Sequence, residues 1–188
     1  MEADMRKPNA KERILETAGQ LFHQRGYSEV GINEIIEKAE TAKASFYQHY
    51  SSKEALCEAW LKDLHDKGED RKAALLEGST DASAVIGEYF DQLEGYMIQS
   101  EFRGCPYSNT CAVSDGAGIL DLIHSHKESI REFFRKVAAI KYKSEEDICA
   151  AGDRLFIIYS GATTEAQNLK AIWPIHVGKS LAVDLMKH

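Results

Sequence analysis

Residues 43–50 read Lys-Ala-Ser-Phe-Tyr-Gln-His-Tyr, where a cation, a hydroxyl, an amide and an imidazole interleave with aromatic rings. Phe46 and Tyr50 are spaced i, i+4, so on a helix they share one face and can anchor it. Lys43, Ala44, Ser45, Tyr47, Gln48 and His49 are then left on the remaining surface. Donors of this kind on a short anchored helix can meet base edges and phosphates in a DNA major groove. A second candidate is Arg103-Gly104-Cys105-Pro106. Proline favours the first helical position, which makes Cys105 an N-cap facing free backbone N–H groups, with Arg103 near. Two readings of Cys105 stay open: a reactive thiol, or a small residue that starts a helix. A third group, His124, His126 and Glu128, suggests a metal site. But residues i and i+2 on a helix point about 200° apart, so the histidines cannot chelate together, and neither metal nor cofactor is expected. No Ser-His-Asp spacing, Gly-rich phosphate loop or paired carboxylates appear, so an enzyme is not expected.

The elements that must position these residues follow from apolar spacing. Ile14, Leu15, Ala18, Leu21 and Phe22 fall in three- and four-residue steps between Ala10 and Arg25, and Gly26 supplies a stop. Ile32, Ile35, Ile36 and Ala39 form a second short stripe, and the helix of Phe46 and Tyr50 is the third. Ser51-Ser52-Lys53-Glu54 offers N-caps for a fourth helix with Leu56, Trp60 and Leu64. Further stripes run over 84–97, 119–142 and 148–169, and Trp173-Pro174 opens a last helix with Val177, Leu181 and Leu185. No long segment alternates as a half-buried strand would. The expectation is an all-α chain of about nine helices. An N-terminal three-helix helix-turn-helix unit (1–55) precedes a larger helical C-terminal domain (56–188).

Composition bounds the partners. The chain has 188 residues and a net charge of −7, so any DNA contact must come from a local face rather than the total field. Residues 1–55 hold eight Lys/Arg and nine Asp/Glu, a net −1, against −6 for the remainder. Arg6 and Lys7 could act as a basic arm, and Lys43 and Lys53 could meet phosphates. No apolar run approaches a membrane span, and the N-terminus lacks the apolar core of a secretory signal. A cytoplasmic protein without membrane contact is expected, its four cysteines free thiols.

Residues 13–56, RILETAGQLFHQRGYSEVGINEIIEKAETAKASFYQHYSSKEAL, resemble in register the DNA-binding domain of TetR-family transcriptional regulators. The likeness rests on Ala18, Leu21-Phe22, Gly26-Tyr27, Ile35/Ala39, Phe46-Tyr47-x-His49-Tyr50 and Ser52-Lys53-Glu54. It implies a homodimer with an N-terminal reader and a helical body that binds a small molecule and dimerises through its last two helices. It places Lys43, Ser45, Tyr47 and His49 on the recognition helix, Tyr47, His49 and Lys53 near phosphates, and Asn33 on the groove side of the second helix. The sequence departs from the family at the turn, where Glu40-Thr41-Ala42 replaces the usual Gly-Val-Ser. The Gly-Cys helix start at 104–105 resembles that of family members in which the cysteine senses electrophiles.

The body offers Tyr89, Phe90, Leu93, Tyr96, Met97, Cys105, Phe134 and Tyr159 as candidate pocket residues, although aromatic stripes also build plain core. Leu155, Ile158, Ala162, Leu169, Val177, Leu181 and Leu185 are the candidate dimer interface, with Gly161 and Ala162 allowing close approach. The expected function is a ligand-responsive repressor that binds a palindromic operator as a homodimer and is released by a small molecule. The alternative is a thiol-based redox or electrophile sensor, or a small-molecule-binding protein, with weak DNA binding.

Overall fold

Asn9 begins the first helix by a reciprocal cap. Its side chain accepts from the Glu12 N–H at 3.0 Å while the Glu12 carboxylate accepts from the Asn9 N–H at 2.8 Å. α1 (Ala10–Arg25) buries Ile14, Ala18, Leu21 and Phe22 and stops at Gly26, whose φ of 95° suits glycine. α2 (Ile32–Lys38) and α3 (Lys43–His49) follow, then α4 (Lys53–Leu76), capped by Ser52. The computed structural model describes residues 8–187, so Arg6 and Lys7 lie outside the described residues.

The rest of the chain adds α5 (Ala82–Gln99), α6 (Pro106–Cys111), α7 (Ala117–Lys141), α8 (Glu145–Leu169) and α9 (Trp173–Lys187). The described residues thus form nine helices and no strand, as the spacing predicts. α7, α8, α9 and α5 pack in that order around a core of Ile86, Phe90, Phe134, Leu155 and Ile175. Gly178 lets α9 close on α8: a Cβ there would lie 2.8 Å from the Ala162 Cβ. Arg131 of α7 makes a two-pronged ion pair with Asp153 of α8, at 2.6 and 2.8 Å.

The core of α1–α3 does not end at residue 55. It is completed by Leu56, Cys57, Trp60 and Leu61 of α4, Tyr107 of α6, and Ile119 and Ile123 of α7. The expected boundary falls inside the first turn of α4, a helix that serves both cores.

The candidate dimer residues separate into two sets. Leu155 is fully buried and Ala162 is 8% exposed, both inside the chain's own α8–α9 packing, and Ile158 leans on the same seam. The spacing put these residues on a face between subunits; the α5 and α9 side chains claim that face instead. Leu169, Val177 and Leu181 are exposed, together with Ile157 (67%) and Trp173 (56%), while Leu185 is half-buried. Gly161 faces open space.

Candidate nucleic-acid interface and ligand cavity

The outer face of α3 is built by what lies beneath it. Phe46 and Tyr50 are buried, and the Tyr50 hydroxyl donates to the Lys11 carbonyl of α1 at 3.3 Å. Lys43, Ala44, Tyr47, Gln48 and His49 are exposed and Ser45 half-buried, with Tyr47 standing edge-on to Phe46 at 46% exposure. No carboxylate lies on α3. Asn33, in the first turn of α2, is also exposed.

The turn between α2 and α3 is closed by two backbone bonds. The Thr41 N–H donates to the Ile36 carbonyl and the Glu40 N–H to the Glu37 carbonyl, each at 3.1 Å. This is the Schellman arrangement, whose left-handed position normally takes glycine. Here Glu40 holds it, at φ 48°. Arg13 of α1 holds the same turn: its Nε donates to the Ala39 carbonyl at 3.1 Å and its Nη2 to the Glu40 carbonyl at 3.4 Å. At the far end of α2, Arg25 pairs with Glu34 at 2.6 Å and donates to the Glu29 carbonyl. Desolvation is the largest single influence on the half-buried Glu34 carboxyl and raises its pKa, but the hydrogen bonds and charges of Lys38 and Arg25 together hold it below its ordinary range. Neither arginine stands out in the sequence, because each does its work by reaching another segment.

Lys53 is placed differently from the other candidate contacts. Its ammonium donates to the Tyr27 and Val30 carbonyls at 3.0 and 3.1 Å and sits 4.4 Å from the Tyr27 ring centre. Two of its three donors therefore hold the loop between α1 and α2, leaving one for a phosphate.

The body contains a cavity of about 220 Å³. Of the candidate pocket residues, Tyr89, Leu93, Tyr96, Cys105 and Tyr159 line it. Phe90, Met97 and Phe134 do not: all three are fully buried in the core behind it. The wall that sequence reasoning missed is α4, which contributes Leu64, Gly68, Arg71, Lys72 and Leu75. Their spacing of 0, 4, 7, 8 and 11 is itself a helical face, hidden because it mixes apolar and charged residues. Gln92, Tyr107, His126 and Ile130 complete most of the rest.

His126 lies flat on Tyr107, ring centres 3.5 Å apart and planes 6° from parallel. Burial, with Lys127, Lys72 and His65 nearby, pushes its pKa down to about 3, Glu69 opposing. It is a neutral wall of the cavity. Among the described residues no cluster of His, Cys, Asp or Glu could hold a metal ion.

Cys105 is the N-cap of α6, with Pro106 in the first turn as the sequence implies, but its sulfur accepts no capping hydrogen bond. Arg103, expected beside the thiol, instead donates to the His23 carbonyl at 2.9 Å and ties the body to the end of α1. The cation near the sulfur is Lys127, Nζ 3.8 Å from Sγ. Gly104, at φ 73°, lets the chain turn back so that its carbonyl accepts from the Tyr96 hydroxyl at 2.8 Å. Cys57 is fully buried, its pKa pushed up to about 12 by desolvation, while Cys111 is exposed.

A short helix exposed over a helix-turn-helix, joined through a shared α4 to a larger helical body with a cavity, is the architecture of a helix-turn-helix DNA-binding protein. Residues 14–60 match the family of bacterial regulatory proteins, tetR family. The HTH-type transcriptional repressor NemR of Escherichia coli is 27% identical over 168 residues, 88% of this chain and 80% of that protein. The crystal structure of E. coli NemR in its reduced form superposes with a TM-score of 0.80 at 22% identity, covering 95% and 97% of the two chains. A TetR transcriptional regulator from Legionella pneumophila superposes at 0.86, also 22% identical, over 97% of this chain and all of that one. Residues 14–60 thus carry the sequence pattern of the tetR family of bacterial regulatory proteins, and the whole chain shares the fold of TetR transcriptional regulators. No helix among the described residues is long and apolar enough to cross a membrane.

Proposed function

We propose that the protein is a ligand-responsive transcriptional repressor that binds a palindromic DNA operator as a homodimer and releases it when a small molecule occupies the cavity. The observation that carries this reading is α3, a carboxylate-free helix held by Phe46 and Tyr50 with Lys43, Tyr47, Gln48 and His49 exposed. Lys43, Ala44, Ser45, Gln48 and Asn33 face the bases; Tyr47, His49 and the spare donor of Lys53 face phosphates. Half-sites lie about 34–36 Å apart, or a multiple, so that both recognition helices enter one face of the duplex. The dimer forms through the exposed apolar residues Leu169, Val177 and Leu181 with Ile157 and Trp173, since such a face on α8 and α9 buries best against its own copy.

Fluorescence anisotropy against the DNA upstream of its own gene, titrated over salt, tests the repressor reading. Specific binding with a negative log–log salt slope supports it; Lys53→Ala should reduce the magnitude of that slope by about 1 per phosphate contacted, while Lys43→Ala should change base preference. Binding no tighter than to unrelated duplex rejects it.

One observation favours a thiol-sensing form of the same function. Cys105 lines the cavity with Lys127 beside it, so a ligand that alkylates or oxidises the sulfur would act from inside the effector site. Cys105→Ser should keep operator binding and lose any release caused by N-ethylmaleimide; unchanged release rejects that form.

A further inference from the structure

The cavity has an uncompensated charge. Its lining includes two cations, Arg71 and Lys72, and no Asp or Glu. Lys72 is already neutralised: it pairs with Glu69 at 2.6 Å, and Ser129 bonds to both. Arg71 has no ion pair and no hydrogen-bonded partner among the described residues. Its field reaches inward, favouring the charged form of the Tyr89, Tyr96 and Tyr107 hydroxyls although burial raises all three.

The neutral part of the lining is aromatic. The rings of Tyr89, Tyr96, Tyr107 and Tyr159 surround the space. The Tyr96 and Tyr107 hydroxyls are spent on the Gly104 and Leu61 carbonyls, each at 2.8 Å. Those of Tyr89 and Tyr159 have only each other, so one of the pair is available to a ligand. The volume, about 220 Å³, is below the roughly 300–1,000 Å³ of drug-sized pockets, which suits a single ring with a short substituent.

We infer that the cavity selects small aromatic acids, with the ring among the tyrosines and the carboxylate paired with Arg71. This rests on the effector-site reading above and gives it a ligand class. A carboxylate supplies the counter-charge that Arg71 lacks and accepts the bidentate fork of its guanidinium. An amine of the same shape would meet the unpaired cation of Arg71 instead. Arg71 lies at the rim and is itself exposed, so its contribution is screened and shows as selectivity rather than as the whole affinity.

The test is calorimetric titration of the full chain with trans-cinnamate, benzoate and salicylate, each against its uncharged amide. For wild type the acids should bind about tenfold more tightly than the amides. In Arg71→Gln that preference should fall to within about twofold, with amide affinity retained. Retained amide affinity also shows that the variant cavity is folded. Equal binding of acids and amides to wild type, preference unaltered in Arg71→Gln, or no binding by any acid overturns the inference. Operator binding is measured on the same samples. Acids that bind without releasing DNA support the ligand class and refute the effector reading, so the two failures are distinguishable.

Discussion

Glu40 carries two burdens that substitution can separate. At φ 48° it occupies the left-handed corner of the α2–α3 turn, which costs an L-residue roughly 1–2 kcal/mol relative to ordinary helix geometry. Glycine relieves that strain but gives back about 0.4–1 kcal/mol through the freedom it adds to the unfolded chain. Glu40→Gly should therefore stabilise the protein by about 0.5–1 kcal/mol, or roughly 1–4 °C for a chain of this length. The second burden is charge. At ~10 Å from a phosphate in water a unit pair is worth about 0.4 kcal/mol, so removing the repulsion in both readers of a dimer gains ~0.8 kcal/mol, roughly fourfold in affinity. Glu40→Gln keeps the strain and loses the charge. Thermal unfolding of the two variants, with anisotropy on one operator at two salt concentrations, gives both quantities. Gly should gain stability and affinity, Gln affinity alone, and the affinity gain should shrink at high salt. If Gln stabilises as much as Gly, strain at the turn is not the cause. If neither variant binds DNA more tightly, Glu40 does not face the phosphates.

Three further outcomes follow from the packing. Leu181→Glu, on the exposed α9 face, should give a folded monomer in analytical ultracentrifugation, whereas Ala162→Arg, against Gly178, should lose several kcal/mol of fold stability; a folded dimer for both rejects the proposed face. His126, with its pKa pushed down to about 3, refuses a proton that the unfolded chain takes up near pH 6.5. Its share of stability is complete above pH 6.5 and declines below it, by about 2 kcal/mol at pH 5; denaturant unfolding of His126→Phe should show a flatter pH profile, and an unaltered one refutes the assignment. Lys53→Met should cost about 1 kcal/mol of stability, after allowing for its partial exposure, as well as weakening DNA binding, because two carbonyls lose their charged donor; a loss of DNA affinity with stability unchanged would make it a phosphate contact only.

The sequence by itself determined the helices and the reader. Asn9 with Glu12, Gly26, Ser52 and Pro106 act within a few residues of themselves, and Phe46 and Tyr50 define an anchor face by spacing alone. Local hydrogen bonds and a 3.6-residue period suffice for such features, so they are legible without a fold. The cavity was legible in part: five of eight candidates line it, while Phe90, Met97 and Phe134 have the same residue types and spacing but lie one layer deeper. Depth is set by which helices stack on which, and that is a long-range property. The same reason moved Leu155 and Ala162 into the α8–α9 seam and left Ile157 and Trp173 outside. An apolar stripe announces that it will be buried, not against what. Charged side chains were the least legible. Arg13 on the turn, Arg103 on the His23 carbonyl, Lys53 on the Tyr27 loop and Lys127 beside Cys105 each reach a partner across at least 22 residues of sequence. Their long flexible stems make many partners possible, and only the assembled tertiary structure chooses one.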